Sequence, residues 1–252
     1  MHSHSMKHAR ALTTATGLLA AILLTAGYLG AVFAIEPNQQ NSQSQTDPGA
    51  VPDQIQMGGE KSVTTFFITS IGLGNGGDLG GLAGADAHCQ ALATAEYAGD
   101  HTWRAYLSTS ATDTEPAVNA RDRIGSGPWY NAEALLIAAN VNSLHDGPNN
   151  VNKERATTER LNIVNGAGDT PNRHDILTGS RADGTAFDRT DDLTCGNWTS
   201  SDAGRAQVGH HDRRGRGDGV NSWNSEHGSA GCSQESLEGT GGAGLFYCFA
   251  ID

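Results

Sequence analysis

Two stretches of this chain carry side chains that could do chemistry. The first is Gly209-His210-His211-Asp212, followed by Trp223, Asn224, Glu226 and His227. Imidazole and carboxylate groups together suit zinc or a similar transition metal. An aromatic face beside a few convergent polar groups suits a sugar or another polar ligand. His210, Asp212, Trp223, Asn224, Glu226 and His227 therefore form the candidate ligand-binding set, with a purely structural polar loop as the competing reading. The adjacent His210 and His211 cannot both point inward on a strand, because successive side chains alternate faces.

The second stretch gathers Asp183, Asp188, Asp191 and Asp192 in a glycine-bearing segment. Hard cations take several oxygen ligands from flexible loops, so these four carboxylates are a candidate calcium site. Their order does not match the calcium loop of an EF-hand, and a solvated acidic turn is the alternative. Gly72-Leu73-Gly74-Asn75-Gly76-Gly77 satisfies the G-x-G-x-x-G spacing of a dinucleotide-binding turn, with Glu96 and Asp100 about twenty residues on. No run of strand and helix units follows it, so turns leading into a helix are the simpler expectation. Neither a Gly-x-Ser-x-Gly elbow nor His-Glu-x-x-His occurs, and nucleophilic catalysis has no evident candidate. A non-enzymatic role follows, with a metal-dependent hydrolase as an alternative.

The elements that must position these groups are bounded by the cysteines and the N-terminus. Cys89, Cys195, Cys232 and Cys248 allow three connectivities. Cys89 falls in a helical pattern and Cys248 in the last apolar strand, so a bridge between them would staple the start of a domain to its end. Lys7, His8 and Arg10 precede an apolar stretch over residues 11–33 that ends in Ala31-Val32-Phe33-Ala34. Residues 1–34 read as a signal peptide, or as an uncleaved N-terminal anchor that would be the only membrane association. Either form sends the domain out of the cytoplasm, to a secreted, periplasmic or cell-envelope location where disulfides persist. Residues 35–62, rich in Gln, Asn, Ser, Asp, Pro and Gly, read as a disordered linker. Residues 63–252 are long enough for one domain with a sizeable core.

The formal charge is −12, and about −14 without Lys7 and Arg10. Such a chain does not bind nucleic acid or anionic surfaces by charge alone. The exception is local: Arg213-Arg214-Gly215-Arg216, which runs into an Arg216-Gly217-Asp218 tripeptide of integrin type.

Periodicity predicts a strand over residues 64–71 and a helix over 82–97, with Ala85, Cys89, Leu92 and Ala93 on one face. It also predicts a half-buried strand over 103–108, with Trp103, Ala105 and Leu107 facing in, and a shorter helix over 132–140. Residues 244–250 are apolar on both alternating sets, as in a buried central strand. The 33 glycines and the scarcity of long helical patterns favour a loop-rich domain of short strands.

Gly84-Ala85-Asp86 leading to Cys89, Trp103-Arg104-Ala105-Tyr106-Leu107-Ser108, Leu193-Thr194-Cys195 with Trp198-Thr199, and Cys232 with Tyr247-Cys248 together resemble the endostatin domains of certain collagens. Those domains are a variant of the C-type-lectin-like fold, and the resemblance spans residues 64–252. It implies an α+β fold of short twisted antiparallel strands, two helices and long loops. It also implies two nested disulfides, Cys89 with Cys248 and Cys195 with Cys232. Trp223-Asn224 is similar to the Trp-Asn-Asp signature of calcium-dependent lectins, with Ser225 in place of the acid. The histidines of the endostatin zinc site are not matched, since no histidine lies between the end of the leader and His88. A Glu36-Pro37-Asn38 tripeptide of the sugar-reading type falls in the linker, outside the domain. The expected function is non-enzymatic binding of an extracellular glycan or protein through the loops between Cys195 and Cys232. A structural envelope module is the alternative.

Overall fold

A computed structural model describes residues 60–188, 190–215 and 221–252. The expected leader, most of the linker and Arg216-Gly217-Asp218 lie outside the described residues. At the end of the linker segment, Lys61 pairs with Asp252 at 3.1 Å and the Ser62 carbonyl accepts from His101 Nε2 at 2.7 Å.

The last strand organises the molecule. β8 (Gly242–Ala250) is flanked by β1 (Phe66–Ile68), β2 (Trp103–Ala105) and β5 (Asp175–Leu177). Phe249 lies opposite both Phe66 and Arg104, so β1 and β2 occupy opposite edges of β8. β5 runs parallel to the first half of β8, whereas β1 and β2 run antiparallel to it, so the expected all-antiparallel sheet has one parallel pairing. β6 (Gln207–His210) and β7 (His227–Gly228) extend the sheet outward from β5.

Alternation along β8 builds two cores, one on each face. Phe246, Cys248 and Ala250 join Phe67, Trp103, Leu107, Trp198 and Val208 on one side. Leu245, Tyr247 and Phe249 join Phe66, Tyr106, Trp129, Ile176 and Trp223 on the other. The apolar reading of both faces of this strand is what the fold requires.

Helix α1 (Gly81–Ala95) buries Ala85, Asp86, Cys89, Leu92 and Ala93, the face given by its sequence spacing together with one carboxylate. Asp86 accepts from the Ala105 N–H at 2.9 Å, from Arg104 at 2.7 Å and from Arg123 at 2.7 Å. It thereby ties the helix to β2. The glycines before α1 do not cradle a phosphate. Gly77 donates its N–H to the Cys232 carbonyl at 2.8 Å, and a Cβ at Gly77 would lie 2.6 Å from Cys195 Sγ. The turn is thus wedged against a disulfide.

Both bridges form: Cys89–Cys248, 159 residues apart, and Cys195–Cys232, 37 apart. Loop-closure entropy assigns them roughly 5 and 4 kcal/mol. Two disulfides suit an oxidising compartment, extracellular or periplasmic. Among the described residues no helix is long and apolar enough to cross a membrane.

The helix expected over residues 132–140 is not formed. β3 (Trp129–Tyr130) pairs instead with β4 (Leu136–Ala138), Trp129 opposite Ala138, and Ala134 takes a left-handed conformation at φ 59° in the turn between them. α2 (Val141–His145) follows, its start closed by reciprocal Asn140 and Ser143 bonds. The short α3 (Cys195–Trp198) and α4 (Gln234–Thr240) bring the described helices to four, against the two expected. The result is a mixed α+β architecture.

Candidate functional site

Strand register assembles a group of titratable side chains that lie far apart in the chain. Asp175, the first residue of β5, sits directly across from His210, the last of β6. His227 on β7 pairs with Val208, two residues before His210, and so reaches it diagonally on the same face. His174 precedes β5, and its ring stacks on that of His210 with centroids 3.9 Å apart and planes 15° from parallel.

The Nε2 atoms converge on one carboxylate oxygen. Asp175 Oδ1 is 3.3 Å from His174 Nε2, 3.1 Å from His210 Nε2 and 3.6 Å from His227 Nε2. His210 Nε2 and His227 Nε2 are themselves 3.0 Å apart. The Asp175 side chain is 2 % exposed, and no hydrogen bond of acceptable geometry reaches either of its oxygens. Burial works against charging His210, but the neighbouring Asp175 carboxylate more than offsets it and moves the imidazole above its ordinary range.

Outer partners fix two of the rings. His174 Nδ1 donates to Asp212 Oδ1 at 3.2 Å, and His227 Nδ1 donates to the Gly228 carbonyl at 3.1 Å. In the neutral tautomers this leaves both Nε2 lone pairs aimed at the centre. Asp212 also accepts from the N–H groups of Ala167 at 2.6 Å and Arg214 at 3.0 Å. Burial alone would raise its carboxyl, yet the imidazole and the two amides hold it well below the usual carboxylate range. Gly166 lets this happen: a Cβ there would stand 2.5 Å from Asp212 Oδ2.

Above the cluster lies an open cleft of about 650 Å³, lined by Asn172, His174, His210, Asn221, Glu226, His227 and Thr240, with Gly239 on its rim. Three chain segments form it: the loop before β5, the stretch between β6 and β7, and the end of α4. Both Glu226 oxygens are engaged, by the Asn221 amide and by the Ser222 N–H at 2.8 Å.

The sequence-derived set divides. His210, Glu226 and His227 line the cleft, and Asp212 stands behind His174. Trp223 and Asn224 do not face it. Trp223 packs against Tyr106 and Tyr247, and Asn224, 1 % exposed, donates to Tyr106 Oη at 2.9 Å and to the Arg181 and Ala182 carbonyls, each at 3.1 Å. The lectin-like dipeptide is therefore built into the second core. His210 and His211 are both buried, which is possible because β6 ends at His210 and His211 lies in the turn after it, free of the strand's alternation. Burial pushes His211 down to about 4.

Asp183, Asp188, Asp191 and Asp192 do not come together as a ligand set; among the described residues the grouping with metal-ligand spacing is His174, Asp175 and His210. Asp183 accepts from Thr185, Asp188 pairs with Arg181, and Asp192 accepts from Thr194 and from the Gly196 N–H. Asp191 is exposed, its N–H bonded to the Asp188 carbonyl. Asn197-Trp198-Thr199 has the order of an N-glycosylation acceptor, and the Asn197 amide is engaged with the Ser110 backbone.

Sequence reasoning missed His174 and Asp175. The available signal was a His-Asp pair opening the apolar run Ile176-Leu177, but only the β5–β6 register shows that Asp175 meets His210. A scan against protein-family models and a search of the curated proteins give no match to this chain.

Proposed function

We propose that this chain is an extracytoplasmic, non-enzymatic binding module of C-type-lectin-like architecture that holds a glycan segment in the cleft beside His210 and His227. The observation that carries the reading is the cleft itself. Its volume of about 650 Å³ suits a small polar ligand, within the usual range of about 300–1,000 Å³ for such sites. A protein partner would instead engage a broad face of about 800 Å². The amide, hydroxyl, imidazole and carboxylate lining matches sugar hydroxyls, which both donate and accept. Among the described residues no Trp, Tyr or Phe side chain lines the cleft, so recognition rests on hydrogen bonds more than on stacking against a large aromatic face. Both Glu226 oxygens are already engaged, so the carboxylate that lines the cleft is held in place as part of its polar lining.

Gly239 provides the test. A Cβ added there meets nothing within 4 Å, and the residue lies in α4 on the rim of the cleft. Gly239→Trp should fill the cleft and abolish glycan-array binding, while thermal stability stays equal or rises, since glycine weakens a helix by roughly 1 kcal/mol. Retention of glycan binding by Gly239→Trp, or no binding by the unmodified chain across the array, would refute this reading.

A further inference from the structure

We propose that His174, Asp175, His210 and His227 form a site for a divalent first-row transition cation, of which zinc is the natural example, at the floor of the cleft. Three imidazole nitrogens and one carboxylate oxygen are the donor set that zinc prefers, whereas calcium requires oxygen ligands throughout. The ligand atoms of His174, Asp175 and His210 all lie within 4.8 Å of one another, the spacing one ion requires, and His227 Nε2, 3.0 Å from His210 Nε2 and 3.6 Å from Asp175 Oδ1, is placed to join them.

Two further observations point to a cation. The Asp175 carboxylate is buried with neither oxygen accepting a well-formed hydrogen bond. A buried charge is ordinarily paired or bound to metal. In addition, the His174 ring is held by Asp212 through Nδ1, and Asp212 is held in turn by two backbone amides. A carboxylate behind a histidine is the usual outer support of a metal-binding imidazole, fixing the tautomer and raising the basicity of the coordinating nitrogen. His174, Asp175 and His210 are buried, while the His227 side chain is 40 % exposed, so the accessible side of the ion faces the cleft.

The test reads metal directly and does not depend on any glycan. The full chain, without an affinity tag, is stripped with a chelator and titrated with cobalt(II) and with zinc. Cobalt should give visible d–d bands with imidazole and carboxylate ligation, and zinc should raise the melting temperature. Asp175→Asn keeps the side-chain shape, and should bind one equivalent fewer and lose the zinc-dependent rise. His227→Ala, on a short edge strand, should weaken zinc binding at least tenfold even if Asp175→Asn proves unstable. Asp212→Asn should weaken it by about 10- to 100-fold. His2, His4 and His8 are common to every variant, so the difference isolates the cluster. Equal metal content and equal zinc response in the unmodified chain and a folded Asp175→Asn or His227→Ala would overturn the proposal; absence of glycan binding by the unmodified, metal-loaded chain would refute only the glycan reading.

Discussion

Asn224 shows how a residue can be singled out for the wrong reason. Its neighbours Trp223 and Ser225 give it the look of a sugar-reading position, yet its amide joins Tyr106 to the carbonyls of Arg181 and Ala182 inside the core. Asn224→Ala should therefore lower stability by about 2–4 kcal/mol in urea denaturation, because it leaves several buried polar groups without partners. A loss below 1 kcal/mol would mean that those groups rearrange freely. Residue type was legible at His210, Glu226 and His227, where imidazole and carboxylate declare their chemistry. Burial was not legible, because a Trp-Asn pair looks the same in a binding loop and in a core. Asp175 and His174 escaped notice for a different reason: their partners are set by strand register, which a single sequence does not display.

At the level of elements, α1 and β8 were readable because their patterns are long. Four apolar positions on one helix face, or seven consecutive apolar residues, outweigh local noise. Residues 132–140 misled because Ala-Leu-Leu-Ile-Ala-Ala suits a helix, while pairing of β4 with Trp129 and Tyr130 decided the outcome. Tertiary pairing overrides intrinsic propensity over such short spans. The join between α1 and β2 was also hidden, since it depends on Asp86 reaching the Ala105 N–H, 19 residues away, with Arg123, 37 residues away, completing the cluster. Asp86→Ala would leave the Arg123 guanidinium, only 10 % exposed, without its carboxylate, the Ala105 carbonyl remaining as acceptor. The expected loss is about 3–5 kcal/mol. Arg104→Ala, removing the more exposed partner, should cost under about 1 kcal/mol of pair energy. Equal losses in chemical denaturation would show that Asp86 matters for packing rather than for its buried ion pair.

Across the whole molecule, the second core sets an alkaline limit. Tyr106 and Tyr247 are fully buried, and burial lifts both hydroxyls above the ordinary value of 10.0. The folded chain keeps these protons where the unfolded chain releases them, so their contribution is intact below about pH 10 and is lost as pH rises beyond it. With both groups retained, stability should fall by roughly 2.7 kcal/mol per pH unit above that point. Tyrosinate absorbance from this pair should then appear together with loss of near-ultraviolet circular dichroism. Tyr247→Phe should halve the slope, and an unchanged slope would assign the alkaline transition to other groups.

β8 follows, in chain order, every strand it joins. During synthesis, β1 and β2 therefore emerge with the strand between them still to be made, and Cys89 emerges 159 residues ahead of its partner. The Cys195–Cys232 loop can close earlier, because both of its ends precede β8. The nascent chain thus stays open until its final strand is available. Premature pairing of Cys89 with Cys195 or Cys232 is the error this order invites.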